Sequence, residues 1–236
     1  MNKEIVSEVR LELKKHADAK ASESFKRFFK EEVKSYGVKS ALIGKISAKT
    51  FKKIEGYSKE DIFFLCEELL KSDYSEEVFV GLNWASFIKE RCVKSDFNLF
   101  EKWLKKYVND WAKCDVFCGS SIGYLVEKYP ELINRLKKWT RSKNRWLKRA
   151  SAVSLIGLAR RGKRLNDAFR IADLLLQEKD DMVQKGYGWL LKEESRINQS
   201  QVFKYVVKNK KIMPRTALRY AIELMPENLR RKAMER

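Results

Sequence analysis

Apolar residues recur at steps of three and four along nearly the whole chain, with charged positions between them, the pattern of amphipathic helices. Phe25, Phe28, Phe29 and Val33 form one such stripe, which the Tyr36-Gly37 pair is expected to close. Ser58 stands three residues before Asp61, a capping-box arrangement with Asp in place of Glu, and the apolar run IFFLCEELL follows. Ser75 opens a further helix running through EEVFVGLNWASFIKERC. Helices are also expected over about 97–108, 110–127, 130–140, 144–160, 166–178, 181–194, 199–208 and 214–224. Tyr129-Pro130, Arg161-Gly162, Asp180-Asp181 and Met213-Pro214 punctuate them. No alternating run is long enough to demand a strand; Val206-Val207 comes nearest, and its flanks read as helix.

So many short helices must stack on one another to bury their apolar faces. Helix pairs repeating every ~34–47 residues are the usual solution. The chain is therefore expected to be all-α, a curved solenoid of HEAT-like antiparallel helix pairs forming a single domain over 1–236. Such a stack has a concave inner groove suited to a long partner.

Composition narrows the chemistry. Only 10 Gly and 3 Pro occur in 236 residues, too few to turn an all-β barrel or sandwich. A hydrophobic content of 44% excludes a disordered chain. Cys66, Cys92, Cys114 and Cys118 make no CxxC pair and His16 is the sole histidine, so neither a zinc site nor a Ser/His or Cys/His catalytic pair is expected. His16 sits among charged residues and reads as a surface group. Nucleotide-binding and metalloprotease signatures are absent, and no cofactor is expected. The charged N-terminal stretch lacks a signal-peptide core and no segment is apolar enough to span a bilayer, so a cytoplasmic, nucleoid-associated protein with no membrane role is expected.

The net charge of +19 has a location. Leu132–Asn166 carries twelve Lys/Arg and no acid, and Ser195–Ile222 carries seven more, again with no acid; the rest balances at 32 against 32. This asymmetry is the footprint of a polyanionic partner. A plain solubility surface would interleave acids.

Trp111 and Asp115 stand four apart and share a helix face. Arg149 follows 34 residues after Asp115 and Trp189 forty after that, about one helix pair each. Each has a bland reading alone: the two Trp as core residues, Asp115 as the partner of a nearby Lys. Together they would occupy equivalent inner helices, and an acid beside apolar Val116 and Phe117 asks for a reason.

At this point the sequence resembles a known family. FFKEEVKSYGVKS, DWAKCD, NRWLKRASAV, QKGYGWLLKE and PRTALRYAIE look like the AlkD-type DNA alkylation repair proteins, alkylpurine DNA glycosylases built of HEAT-like repeats. The likeness runs over nearly the whole chain, in the same order and spacing. It implies that Trp111, Asp115 and Trp189 are active-site residues and that Arg149 contacts DNA. Arg145, Lys148 and Lys185 are expected to contact phosphates with it. Two positions depart from the family pattern: Phe28 stands where a tyrosine is expected, and Lys192 where an arginine is expected, which keeps the charge but loses a bidentate phosphate contact.

The implied reaction is release of cationic N3- or N7-alkylpurines from double-stranded DNA. A charged purine is already a good leaving group, so no general acid is needed. A carboxylate at position 115 stabilises the positive charge growing on the sugar and orients water, while Trp faces favour the same cation. The resemblance further implies that the lesion stays stacked in the duplex. A monomer is expected, since a groove-binding solenoid needs no second copy. The alternative is a non-catalytic helical-repeat module binding nucleic acid or protein. Asp115 discriminates between them, because a bare phosphate-binding groove loses affinity through a central carboxylate. Lys185 as a Schiff-base nucleophile is a weaker reading than Lys185 as a phosphate contact.

Overall fold

The computed structural model describes residues 4–235. They contain helices and connecting turns and no strand; the one β-bridge pairs Lys34 with Tyr74. The chain divides into two compact units, one reaching to Phe117 and the other starting at Cys118.

The first unit contains α1 (Glu4–Lys15), α2 (Ala19–Lys26), α3 (Ser40–Phe51), α4 (Lys59–Leu70), α5 (Ser75–Phe87), α6 (Asp96–Tyr107) and α7 (Trp111–Phe117). Helix α5 is its centre. It is buried nearly all round, through Val78, Val80, Leu82, Trp84 and Ala85, and packs against α1, α3, α4 and α7. Gly81 lets α4 come close: a Cβ there would lie 3.0 Å from the Cys66 carbonyl oxygen. The expected cap at Ser58 forms, with its hydroxyl accepting from the Asp61 N–H at 3.0 Å. An aromatic cluster of Phe63, Phe100, Trp103 and Phe117 joins α4, α6 and α7.

The expected helix through Phe25–Val33 is corrected. Helix α2 ends at Lys26, and residues 27–39 run without a helix. The far end of this segment is held by α5. Glu76, buried at 2% exposure, accepts from the Ser35 hydroxyl at 2.6 Å and from the Tyr36, Gly37 and Val38 N–H groups at 3.1, 2.9 and 3.2 Å. Three successive backbone donors converging on one carboxylate cannot also serve a helix. Gly37, at φ +82°, supplies the left-handed turn this needs.

The second unit begins with a π-helical turn (Cys118–Ile122). It then contains α8 (Gly123–Lys128), α9 (Ile133–Trp139), α10 (Arg145–Val153), α11 (Ile156–Ala159), α12 (Leu165–Leu174), α13 (Asp181–Asn209), α14 (Arg215–Ala221) and α15 (Glu227–Met234). The two helices expected at 181–194 and 199–208 both form; they run on from one another within α13, with the non-helical Asn198 (φ −108°, ψ 40°) breaking between them. Val206 lies in this helix with its side chain buried, so the strand alternative falls away.

Helix α13 packs on α10, α11, α12, α14 and α15. Its KGYGW segment is built for close approach on two sides. A Cβ on Gly186 would meet Arg149 Cγ at 3.2 Å, and one on Gly188 would lie 2.8 Å from the Ala217 carbonyl oxygen. Tyr187 between them is fully buried and donates its hydroxyl to the Leu176 carbonyl at 3.2 Å.

Candidate functional site

Trp111 opens α7, and Asp110 fixes where that helix begins. The Asp110 carboxylate accepts the Lys113 N–H at 2.8 Å and pairs with Lys113 Nζ at 2.9 Å; both side chains are buried. The Trp111 ring stacks on Phe29, with centroids 5.2 Å apart and planes at 16°, and its Nε1 donates to the Phe28 carbonyl at 3.3 Å. Thus Phe28 meets Trp111 through its backbone, while its own ring is 71% exposed. Asp115 lies one turn further along α7, half-buried. The first unit therefore gathers three sequence-predicted residues, Phe28, Trp111 and Asp115.

The remaining predicted residues belong to the second unit, on α10 and α13. Asn144 caps α10 by accepting from the Trp146 and Leu147 N–H groups, and Asp180 caps α13 by accepting from those of Met182 and Val183. Arg145 pairs with Asp180 at 2.8 Å and lies 5.1 Å over the Trp146 ring. Lys148 pairs with Glu178 at 2.5 Å, and Lys185 with Asp181 at 3.5 Å. Arg149 is only 5% exposed and donates Nη1 to the Met182 carbonyl at 2.5 Å. Its guanidinium ties α10 to the first turn of α13 through one of its five N–H donors.

Further along α13, Lys192 pairs with Glu223 at 2.7 Å. Trp189 donates Nε1 to Glu193 at 2.9 Å, and the same carboxylate holds Arg196 at 2.6 Å and Arg160 at 3.1 Å. Burial opposes ionisation of Glu193, but hydrogen bonds from Arg160, Arg196 and Trp189 prevail and hold its pKa at about 2. Glu194 beside it goes the other way: burial lifts its pKa to about 7, against the single opposing hydrogen bond from Asn198.

These neighbours give opposite pH signatures. The Glu193 contribution is complete above its ordinary value near 4.5 and is lost as pH falls toward 2. The Glu194 contribution is complete below about 4.5 and is lost as pH rises through 7, because ionising it in place costs burial energy. Urea midpoints across pH are expected to show Glu194→Gln flattening the decline between those two values. Glu193→Gln should flatten only the acid limb. Identical profiles for wild type and Glu194→Gln would contradict this.

The acid-free basic runs are answered by acids about one helix pair away. Lys137 meets Asp167, Arg160 meets Glu193, and Arg161 and Lys163 both meet Glu127. Lys138, Arg141 and Lys143, in and beside the α9–α10 turn, are exposed and have no acidic partner among the described residues. Sequence reasoning counted these three without separating them from their paired neighbours. No group of His, Cys, Asp or Glu that could hold a metal ion occurs among the described residues, and no described helix is long and apolar enough to cross a membrane.

Residues 9–225 match the family model described as DNA alkylation repair enzyme. Among solved structures, the chain is similar to a predicted DNA alkylation repair enzyme from Enterococcus faecalis, with TM-score 0.80 and 14% identity over 90% of this chain and 98% of that one. It is also similar to AlkD2 from Streptococcus mutans, with TM-score 0.60 and 18% identity over 78% and 89% of the two chains. A third likeness is to smu.31 from Streptococcus mutans UA159, with TM-score 0.58 and 17% identity over 83% and 91%. At these identities the structures establish a shared all-helical fold. No curated protein matches the sequence.

Proposed function

Since the chain belongs to the DNA alkylation repair enzyme family, we propose that it is a monofunctional glycosylase releasing cationic N3- and N7-alkylpurines from double-stranded DNA. The observation that carries this reading is α7 itself. A carboxylate and an indole one turn apart sit on a helix whose start is locked by a buried ion pair. Asp115 stabilises the cationic sugar as the glycosidic bond breaks and orients the attacking water. The Trp111 face favours the same charge, and its ring is held by Phe29 and the Phe28 carbonyl. The family resemblance assigns Trp189 a like part. The positive charge of the alkylated purine stands in for a general acid.

Affinity for duplex comes from cations meeting phosphates. Lys138, Arg141 and Lys143 need break no ion pair to do so, whereas Arg145, Lys148, Lys185 and Lys192 exchange a carboxylate for a phosphate. Arg149, which the resemblance assigns to DNA contact, keeps one N–H on the Met182 carbonyl and has further guanidinium donors for a phosphate. Arg141→Ala with Lys143→Ala should weaken binding to any duplex and lower the salt slope by about 0.9 for each phosphate that is no longer neutralised. An unchanged slope in anisotropy titrations would remove this turn from the DNA path.

The substrate rule is tested by charge. Duplexes carrying 7-methylguanine or 3-methyladenine are expected to lose the base, and a uracil duplex is not. Efficient uracil release would contradict a mechanism in which the leaving group supplies its own charge.

A further inference from the structure

Between α14 and α15 the second unit has a cleft of about 400 Å³. Glu227, Arg230, Arg231 and Met234 fall three or four residues apart, so one face of α15 presents all of them to it. Arg219 of α14 faces them, with Ile222 and Glu223 in the turn that follows, at the same spacing. Ile222 is 3% exposed and forms an apolar floor with the half-buried Met234, while the charged side chains stand exposed around it. We propose that this cleft docks an acidic peptide segment of a partner protein, with its carboxylates on the arginines and a bulky apolar side chain on the floor.

The arginines are uncommitted. Arg219, Arg230 and Arg231 have no acidic partner among the described residues, although carboxylates stand close by. Glu223 is held instead by Lys192, at 2.7 Å. The cleft thus sets three guanidinium charges against one unpaired carboxylate, that of Glu227. A guanidinium takes a carboxylate through two parallel N–H donors, where a lysine offers only a point charge. The walls are already in place. Lys210 and Arg215 donate to the Lys232 and Met234 carbonyls at 3.2 and 3.4 Å, which holds the end of α15 against the end of α13 and the start of α14. A preformed cleft leaves only the peptide to be ordered on binding. The floor decides between anions. A duplex backbone offers phosphates but no apolar group to cover Ile222 and Met234. An acidic segment with one aromatic or large aliphatic residue meets both the rim and the floor.

The test is fluorescence anisotropy of a short labelled peptide of aspartates carrying one phenylalanine, titrated with the full chain at fixed ionic strength. Saturable binding is expected, about tenfold tighter than for the same peptide with alanine in place of the phenylalanine, as burial of an aromatic side chain allows. Arg219→Ala with Arg230→Ala should weaken it by about tenfold or more in a chain whose melting is unchanged, since both side chains are exposed. Glu227→Gln should tighten it, because a like charge leaves the cleft. Lys204→Ala, exposed on α13 and outside the cleft, should leave it as it was. An excess of undamaged duplex should not displace the peptide. No saturable binding, equal affinity for the two peptides, full binding by the double arginine variant, or an equal loss with Lys204→Ala would overturn the proposal. Displacement by duplex would overturn it too, by making the cleft part of the DNA path.

Discussion

Asp110→Ala is expected to lower the stability of the first unit by about 3–5 kcal/mol, the cost of stranding one partner of a buried ion pair. Lys113 is the partner stranded, with its side chain 4% exposed and Asn109 Oδ1 as its other ligand, at 2.7 Å. The variant also strips the Lys113 N–H of its acceptor at the first turn of α7, a cap worth about 1 kcal/mol. Asp110→Asn should cost less, because it keeps the cap oxygen, although it loses the charge and the acceptor facing Lys113 Nζ. Asp110→Ala with Lys113→Met should recover part of the loss, since neither charge is then left buried alone. Urea titrations followed by tryptophan fluorescence measure all three. An Asp110→Ala midpoint equal to wild type would show that this pair does not hold α7.

Much of the helical framework was legible because its signals are local. The Ser58 cap, the apolar stripe of α6 and the breaks at Tyr129-Pro130 and Met213-Pro214 each depend on a few adjacent residues. What failed was long-range. Nothing in the stripe Phe25–Val33 announces that Glu76, some forty residues on, will take the backbone donors of 36–38. The basic runs misled in the same way: their acids are 30–36 residues away, on other helices or in the turn before α13. The four-residue spacing of Trp111 and Asp115 was readable, because one helix carries both. Arg149 was singled out by resemblance alone; its burial and its packing against Gly186 depend on α13, some 35 residues away, and no local pattern announces them.

Asp115→Asn is the substitution with the largest expected effect on chemistry. It keeps the shape of the side chain, removes the charge and turns one acceptor oxygen into a donor. Losing one preorganised electrostatic stabiliser costs about 3–4 kcal/mol in the barrier, roughly a hundredfold to a thousandfold in rate. The fold should be unaffected, because the anchoring of α7 lies at Asp110 and Lys113. Duplex binding should be equal or slightly tighter, since a negative charge facing phosphates is gone. The direct measurement is single-turnover release of free base from one 7-methylguanine duplex by wild type and Asp115→Asn, with duplex affinity taken on the same samples. Base release by wild type, a loss of at least a hundredfold in the variant and undiminished binding are the predicted result. Equal release by the two proteins, or none by wild type, would contradict the account.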